Sequence, residues 1–247
     1  IVMGNHEYNV VTYCTEAPPG MRQPFLREHT KRNDFMVEQT LEQFANYPQE
    51  FNEFLDWFIG LPLFLEFDHF RVVHACWDQA MIDEYIARYG GNQLTRDMLP
   101  ESINTDSFIY RFLDRMLRGT SLKLPDGRTM TAKDGMKRQF FRTKFWADQP
   151  ERYNEVVFQP DPIPEDLQHA LLSEDEKKQL LYYGPEEKPL FIGHYWMAGL
   201  PAPIVPNIAC IDYSAVKYGR LVAYRMDTEH TLQKSKFTWV RVEKSER

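Results

Sequence analysis

Apolar residues recur at helical spacing in two neighbouring stretches, Val37, Leu41 and Phe44, then Phe51, Phe54, Leu55 and Phe58, with Pro48 between them. They predict two helices whose aromatic stripes face a core. A third helix is expected over Gln79–Tyr89, stopped by Gly90-Gly91. Phe108, Ile109, Phe112, Leu113, Met116 and Leu117 predict another, ending at Gly119. Ser173 followed by Glu176 is a capping box and starts one more. Residues 8–20 read as helix or loop closing on Pro18-Pro19-Gly20.

Short apolar runs with polar borders predict strands at 1–3, 63–67, 70–74, 189–192, 208–212 and 221–225. The second and third form a hairpin around Asp68-His69. Asp126-Gly127 and Asp134-Gly135 mark hairpin-like turns. Pro201, Pro203 and Pro206 stiffen the loop before residue 208, and the tail 242–247 is expected to fray. Strands interleaved with helices indicate an α/β fold, and neither an internal repeat nor a low-complexity segment interrupts it.

Composition adds bounds. A chain of 247 residues, 43 % apolar and 26 % charged, buries a sizeable core. A net charge of −7 argues against a general grip on nucleic acid, which needs excess Lys and Arg to displace counterions. Residues 118–144 are locally basic, with Arg118, Lys123, Arg128, Lys133, Lys137, Arg138, Arg142 and Lys144 against Asp126 and Asp134. Such a stretch is either a solvated hairpin face or an attractor of anionic substrate. Cys14, Cys76 and Cys210 are too few and too scattered for a disulfide framework or a zinc knuckle, and fit a reducing cytoplasm. No apolar run is long enough for a transmembrane span, and no signal peptide is visible.

The candidate chemistry lies where strands end. Ile1-Val2-Met3 runs into Gly4-Asn5-His6-Glu7, Phe70-Arg71-Val72-Val73 into His74-Ala75-Cys76-Trp77, and Pro189-Leu190-Phe191-Ile192 into Gly193-His194-Tyr195-Trp196. Open α/β sheets bind ligands at the carboxyl ends of their strands. Singly, each motif reads as a polar turn or a satisfied histidine; together they point to a metal site. His29, His69, His169 and His230 sit in polar stretches and read as exposed.

The order GNHE, VVHA, FIGH resembles the calcineurin-like metallophosphoesterase superfamily, in the branch of phosphoprotein phosphatases and symmetrical diadenosine tetraphosphatases. The resemblance extends to residues 209–213 and 221–225, which look like that family's closing strands. It implies a layered α/β/β/α sandwich. Residues 1–247 would be the C-terminal two-thirds of a single domain, incomplete at the N-terminus, with 92–188 as an inserted cap-like segment over the cleft. The family's D-x-H strand and G-D-x-x-D-R-G turn, which supply the first metal's ligands, the bridging aspartate and a phosphate-binding arginine, do not occur in this sequence.

The resemblance implies two divalent ions (manganese, iron, zinc or similar), the second held by Asn5, His74 and His194 through an amide oxygen and two neutral imidazoles. It makes His6 the general acid that protonates the leaving oxygen. Substrates would be phosphorylated small molecules, dinucleoside polyphosphates and other nucleotides, or phosphoproteins. This fragment alone is expected to be inactive. Glu7 is expected to cap the following helix, while Asp78 and Asp212 are either partners behind the ligands or packing-edge carboxylates. The alternative is a degenerate phosphoesterase fold that binds phosphorylated ligands or proteins without turnover. A Cys76-His74 nucleophile is disfavoured by geometry, and no G-x-S-x-G, Walker loop or G-x-G-x-x-G is present.

Overall fold

The computed structural model describes residues 1–131, 137–158 and 163–243. The protein is mixed α/β, with helices around several small sheets. Helices span α1 Asn5–Cys14, α2 Lys31–Phe44, α3 Pro48–Ile59, α4 Gln79–Tyr89, α5 Leu99–Ser102, α6 Phe108–Arg118, α7 Tyr153–Val156, α8 Glu165–Gln168 and α9 Glu174–Gln179. Strands are β1 Phe64–Glu66, β2 Arg71–Val73, β3 Ser121–Lys123, β4 Met130–Thr131, β5 Lys137–Arg138, β6 Phe140–Arg142, β7 Leu190–Ile192, β8 Ile208–Cys210, β9 Asp212–Tyr213, β10 Arg220–Tyr224 and β11 Phe237–Arg241.

One sheet has the order β1-β2-β7-β8, with β2, β7 and β8 parallel and β1 antiparallel at its edge. Successive residues of a strand face opposite sides, and this sheet is buried on both. Val73, Leu190, Ile192, Ile208 and Cys210 point to the main core with α4 and α6, where Ile82, Tyr85, Phe112 and Met116 pack. Val72, Phe191 and Ala209 point the other way, against Leu232, Tyr224 and Phe237. Tyr224 and Phe237 belong to an antiparallel sheet of order β11-β10-β9.

Residues 92–188 divide by packing. Leu94, Leu99 and α6 join the main core. Leu122, Leu124, Met130, Phe141, Tyr153, Val156, Ile163, Leu167 and Leu172 form a separate small core.

Several expectations need correction. Residues 1–3 form no strand: Met3 is buried and its N–H donates to Pro62 O (2.8 Å), with no ladder following. The stretch read as helix or loop from Tyr8 is helical to Cys14, and the helix already begins at Asn5, within the Gly-Asn-His-Glu motif. The run 208–212 is two strands in two sheets, because the chain breaks at the exposed Ile211. Asp126-Gly127 does not close a hairpin. Both residues take positive φ (54° and 66°), but β3 pairs with β6, and β4 pairs with β5. The Asp134-Gly135 turn, Lys133 and the tail 244–247 lie outside the described residues.

Candidate metal centre

Gly4 precedes α1 in an extended conformation, and its N–H donates to Glu7 Oε2 (2.9 Å), so Glu7 satisfies a free donor at the helix start. A Cβ at Gly4 would lie 2.6 Å from that oxygen and 3.0 Å from the His74 ring. Glycine thus lets the helix end approach the strand end. Asn5, the first helical residue, is thereby aimed across the carboxyl edge of the parallel strands.

His74 follows β2 and His194 follows β7 after Gly193. The Gly193 N–H donates to His74 O (2.9 Å), locking the two strand ends together. His74 Nε2 lies 2.8 Å from Asn5 Oδ1 and His194 Nδ1 lies 3.2 Å from the same oxygen. The two rings stand 5.2 Å apart and nearly edge-to-face, at 67°. His194 and Trp196 both take left-handed φ, 63° and 48°. Backbone of this kind persists in non-glycine residues where the surroundings over-determine it, often at functional sites.

Both imidazoles are held neutral. Burial, then the neighbouring charge of His6, pushes His74 down to about 4. Burial, followed by Arg142, His74, Arg118 and His6, pushes His194 down to about 2. Neutral imidazoles keep the lone pair a cation needs. The donor set fits a borderline divalent ion. Ligands about 2.1 Å from a shared ion and at right angles would be about 3 Å apart, close to the separations around Asn5 Oδ1. His194 Nε2 is buried without a hydrogen-bond partner among the described residues. Among the described residues no three His, Cys, Asp or Glu side chains gather as a cation site, so this centre has only neutral donors.

The structure therefore brings Asn5, His74 and His194 together. His6 stands beside them on the first turn of α1, exposed, its side chain without a hydrogen bond to any described residue. Asp78 caps α4, accepting from Met81 N (3.3 Å), and faces Arg115 at 3.7 Å. Asp212 accepts from Ser214 N (2.9 Å) in the turn after β9. Both carboxylates thus serve turns and caps rather than the imidazoles. Cys76 and Cys210 are buried, which raises their thiols, Cys210 to about 12, so neither is a nucleophile.

Two contributors were legible only as members of the basic stretch. Arg118 and Arg142 both bias His194 electrostatically, and the Arg142 guanidinium lies 5.6 Å from the Tyr195 ring centroid. Nothing in their local sequence marks these two among the eight basic residues. The chain matches no protein-family model and no curated protein.

Proposed function

We propose that this chain carries part of the active centre of a metal-dependent phosphoesterase of the calcineurin-like type. The observation that carries the proposal is the convergence of Asn5 Oδ1, His74 Nε2 and His194 Nδ1 at the ends of β2 and β7 and the start of α1. A sheet packed by helices on one face and by a second sheet on the other supports the layered sandwich that goes with this reading. Asn5, His74 and His194 would hold one divalent ion. Divalent metal held there would supply a bound water of lowered pKa and Lewis-acid polarisation of a phosphoryl oxygen. His6, exposed at the mouth of the site, delivers a proton to the leaving oxygen. Arg118 and Arg142 make the surroundings favourable to a phosphorylated substrate: a small molecule, a nucleotide or a phosphoprotein.

Three neutral ligands would leave the ion's charge unbalanced. The test belongs on the complete natural polypeptide. It is expected to hydrolyse an aryl phosphate with manganese, to lose that activity in His194→Ala together with metal binding, and to lose turnover in His6→Asn with metal binding intact. His6→Asn should act most on esters with poor leaving groups, which depend on protonation. A metal-loaded protein that cleaves neither aryl phosphates, phosphopeptides nor dinucleoside polyphosphates would refute the proposal. The second reading, a phosphate-binding module without turnover, is favoured by one observation: no carboxylate among the described residues orients His6 or joins Asn5.

A further inference from the structure

One helical turn beyond Asn5, Asn9 Oδ1 accepts a hydrogen bond from Arg118 Nη2 (3.2 Å). Arg118 forms part of the wall of a cavity of about 510 Å³, shared with Arg27, Tyr8, Tyr110 and Asn33. Asn5, His74 and His194 do not line it.

The two guanidiniums differ in how they are satisfied. Arg118 is paired with Asp114 (3.1 Å). Arg27 is half-buried and anchored through Nε to Thr12 Oγ1 (3.0 Å), with its guanidinium 5.8 Å from the Tyr8 ring centroid. Among the described residues no carboxylate comes within ion-pair distance of Arg27, and its terminal nitrogens donate to nothing. Two carboxylates also border the cavity: Asp114 is the partner of Arg118, and Glu28 is exposed and does not pair with Arg27. A partly desolvated cation without a counter-ion, facing a second cation, is costly to hold. Burial first, then the charge of Arg118, pushes the Arg27 pKa down. The unused fork of Arg27 matches the planar, two-oxygen edge of a phosphate or carboxylate.

We propose that this cavity is an oxyanion site, in which Arg27 supplies the free donor fork and Arg118 the second positive charge for a phosphate or carboxylate group of a small ligand. It needs no divalent ion, so its test is independent of the metal centre.

The experiment titrates inorganic phosphate and, separately, malonate into the natural full-length protein at low salt with a chelator present, followed by NMR. Saturable binding is expected, weakened about tenfold or more in Arg27→Gln and less in Arg27→Lys, which keeps the charge and loses the fork. Lys178→Ala, on an exposed side chain paired with Asp175, should change nothing. Stronger binding of phosphate identifies a phosphorylated ligand, and stronger binding of malonate a carboxylate. If Arg27→Gln is not folded by circular dichroism, Arg118→Gln takes its place, with weakened binding expected because it removes the second positive charge. Absence of saturable binding of both anions, or binding that survives the Arg27 and Arg118 substitutions, overturns the proposal.

Discussion

Asn5 Oδ1 lies 2.8 Å from His74 Nε2 and 3.2 Å from His194 Nδ1, and among the described residues no charged oxygen joins them. That neutrality makes the residue a lever. Asn5→Asp adds the charge the site lacks and should tighten manganese binding measured by calorimetry, whereas Asn5→Leu should abolish it. Unchanged affinity in both would remove Asn5 from the ligand set. Gly4 is the other sensitive position, although its φ of −105° is open to any residue. The constraint is space, since a methyl group would meet Glu7 Oε2 and the His74 ring. Gly4→Ala is expected to displace the Glu7 cap, cost about 1 kcal/mol in urea unfolding, and weaken metal binding by moving His74. A variant as stable and as metal-competent as the parent would show that the ring yields freely.

At the scale of elements, α4 has the predicted bounds because its ends carry their own chemistry. Asp78 accepts from the Met81 N–H, and Gly90 closes the helix in the left-handed conformation at φ 74°. Asp78→Ala is therefore expected to cost about 1 kcal/mol, with manganese affinity unchanged; a large loss of affinity would return Asp78 to the site. The helices around 37–58 and 108–117 were equally legible, since apolar spacing reports a buried face directly. So was the arrival of His74 and His194 at strand ends. Their meeting was not, because 69 residues separate His74 from Asn5 and 189 separate His194 from it, and local pattern carries no information across such gaps. The break at Ile211 was hidden for a different reason. An apolar residue continues the run in sequence while it stands exposed in space, and the chain changes sheets there. The left-handed backbone of His194 and Trp196 also had no signal, since histidine adopts it only in a minority of cases and tryptophan rarely.

Across the whole molecule, the parallel sheet is fastened to the segment before β7 by Arg71. Its side chain, 11 % exposed, donates to Glu66 Oε1 (2.9 Å) and Glu187 Oε2 (2.7 Å) and to the Tyr183 hydroxyl (3.2 Å). Burial alone would raise the Glu66 carboxyl, but hydrogen bonds from Lys188 and Arg71 outweigh it and hold the carboxyl below its usual range. A carboxylate with a lower pKa folded than unfolded binds fewer protons when folded. Its contribution is present above the unfolded value of about 4.3 and disappears as pH falls through the folded one. The urea midpoint should therefore fall on acidification below about pH 4.3, and Glu66→Gln should lower the midpoint at neutral pH while flattening that acid dependence. An unaltered acid slope in Glu66→Gln would mean other carboxylates carry it. The proposed centre requires that Asn5, His74 and His194 bind a single ion. Pulsed electron paramagnetic resonance of the manganese-loaded natural polypeptide tests it most directly, without requiring turnover. Nitrogen modulation from two imidazoles is predicted, reduced in His74→Ala and again in His194→Ala. Manganese that binds without nitrogen modulation, or with modulation untouched by either substitution, would contradict the claim.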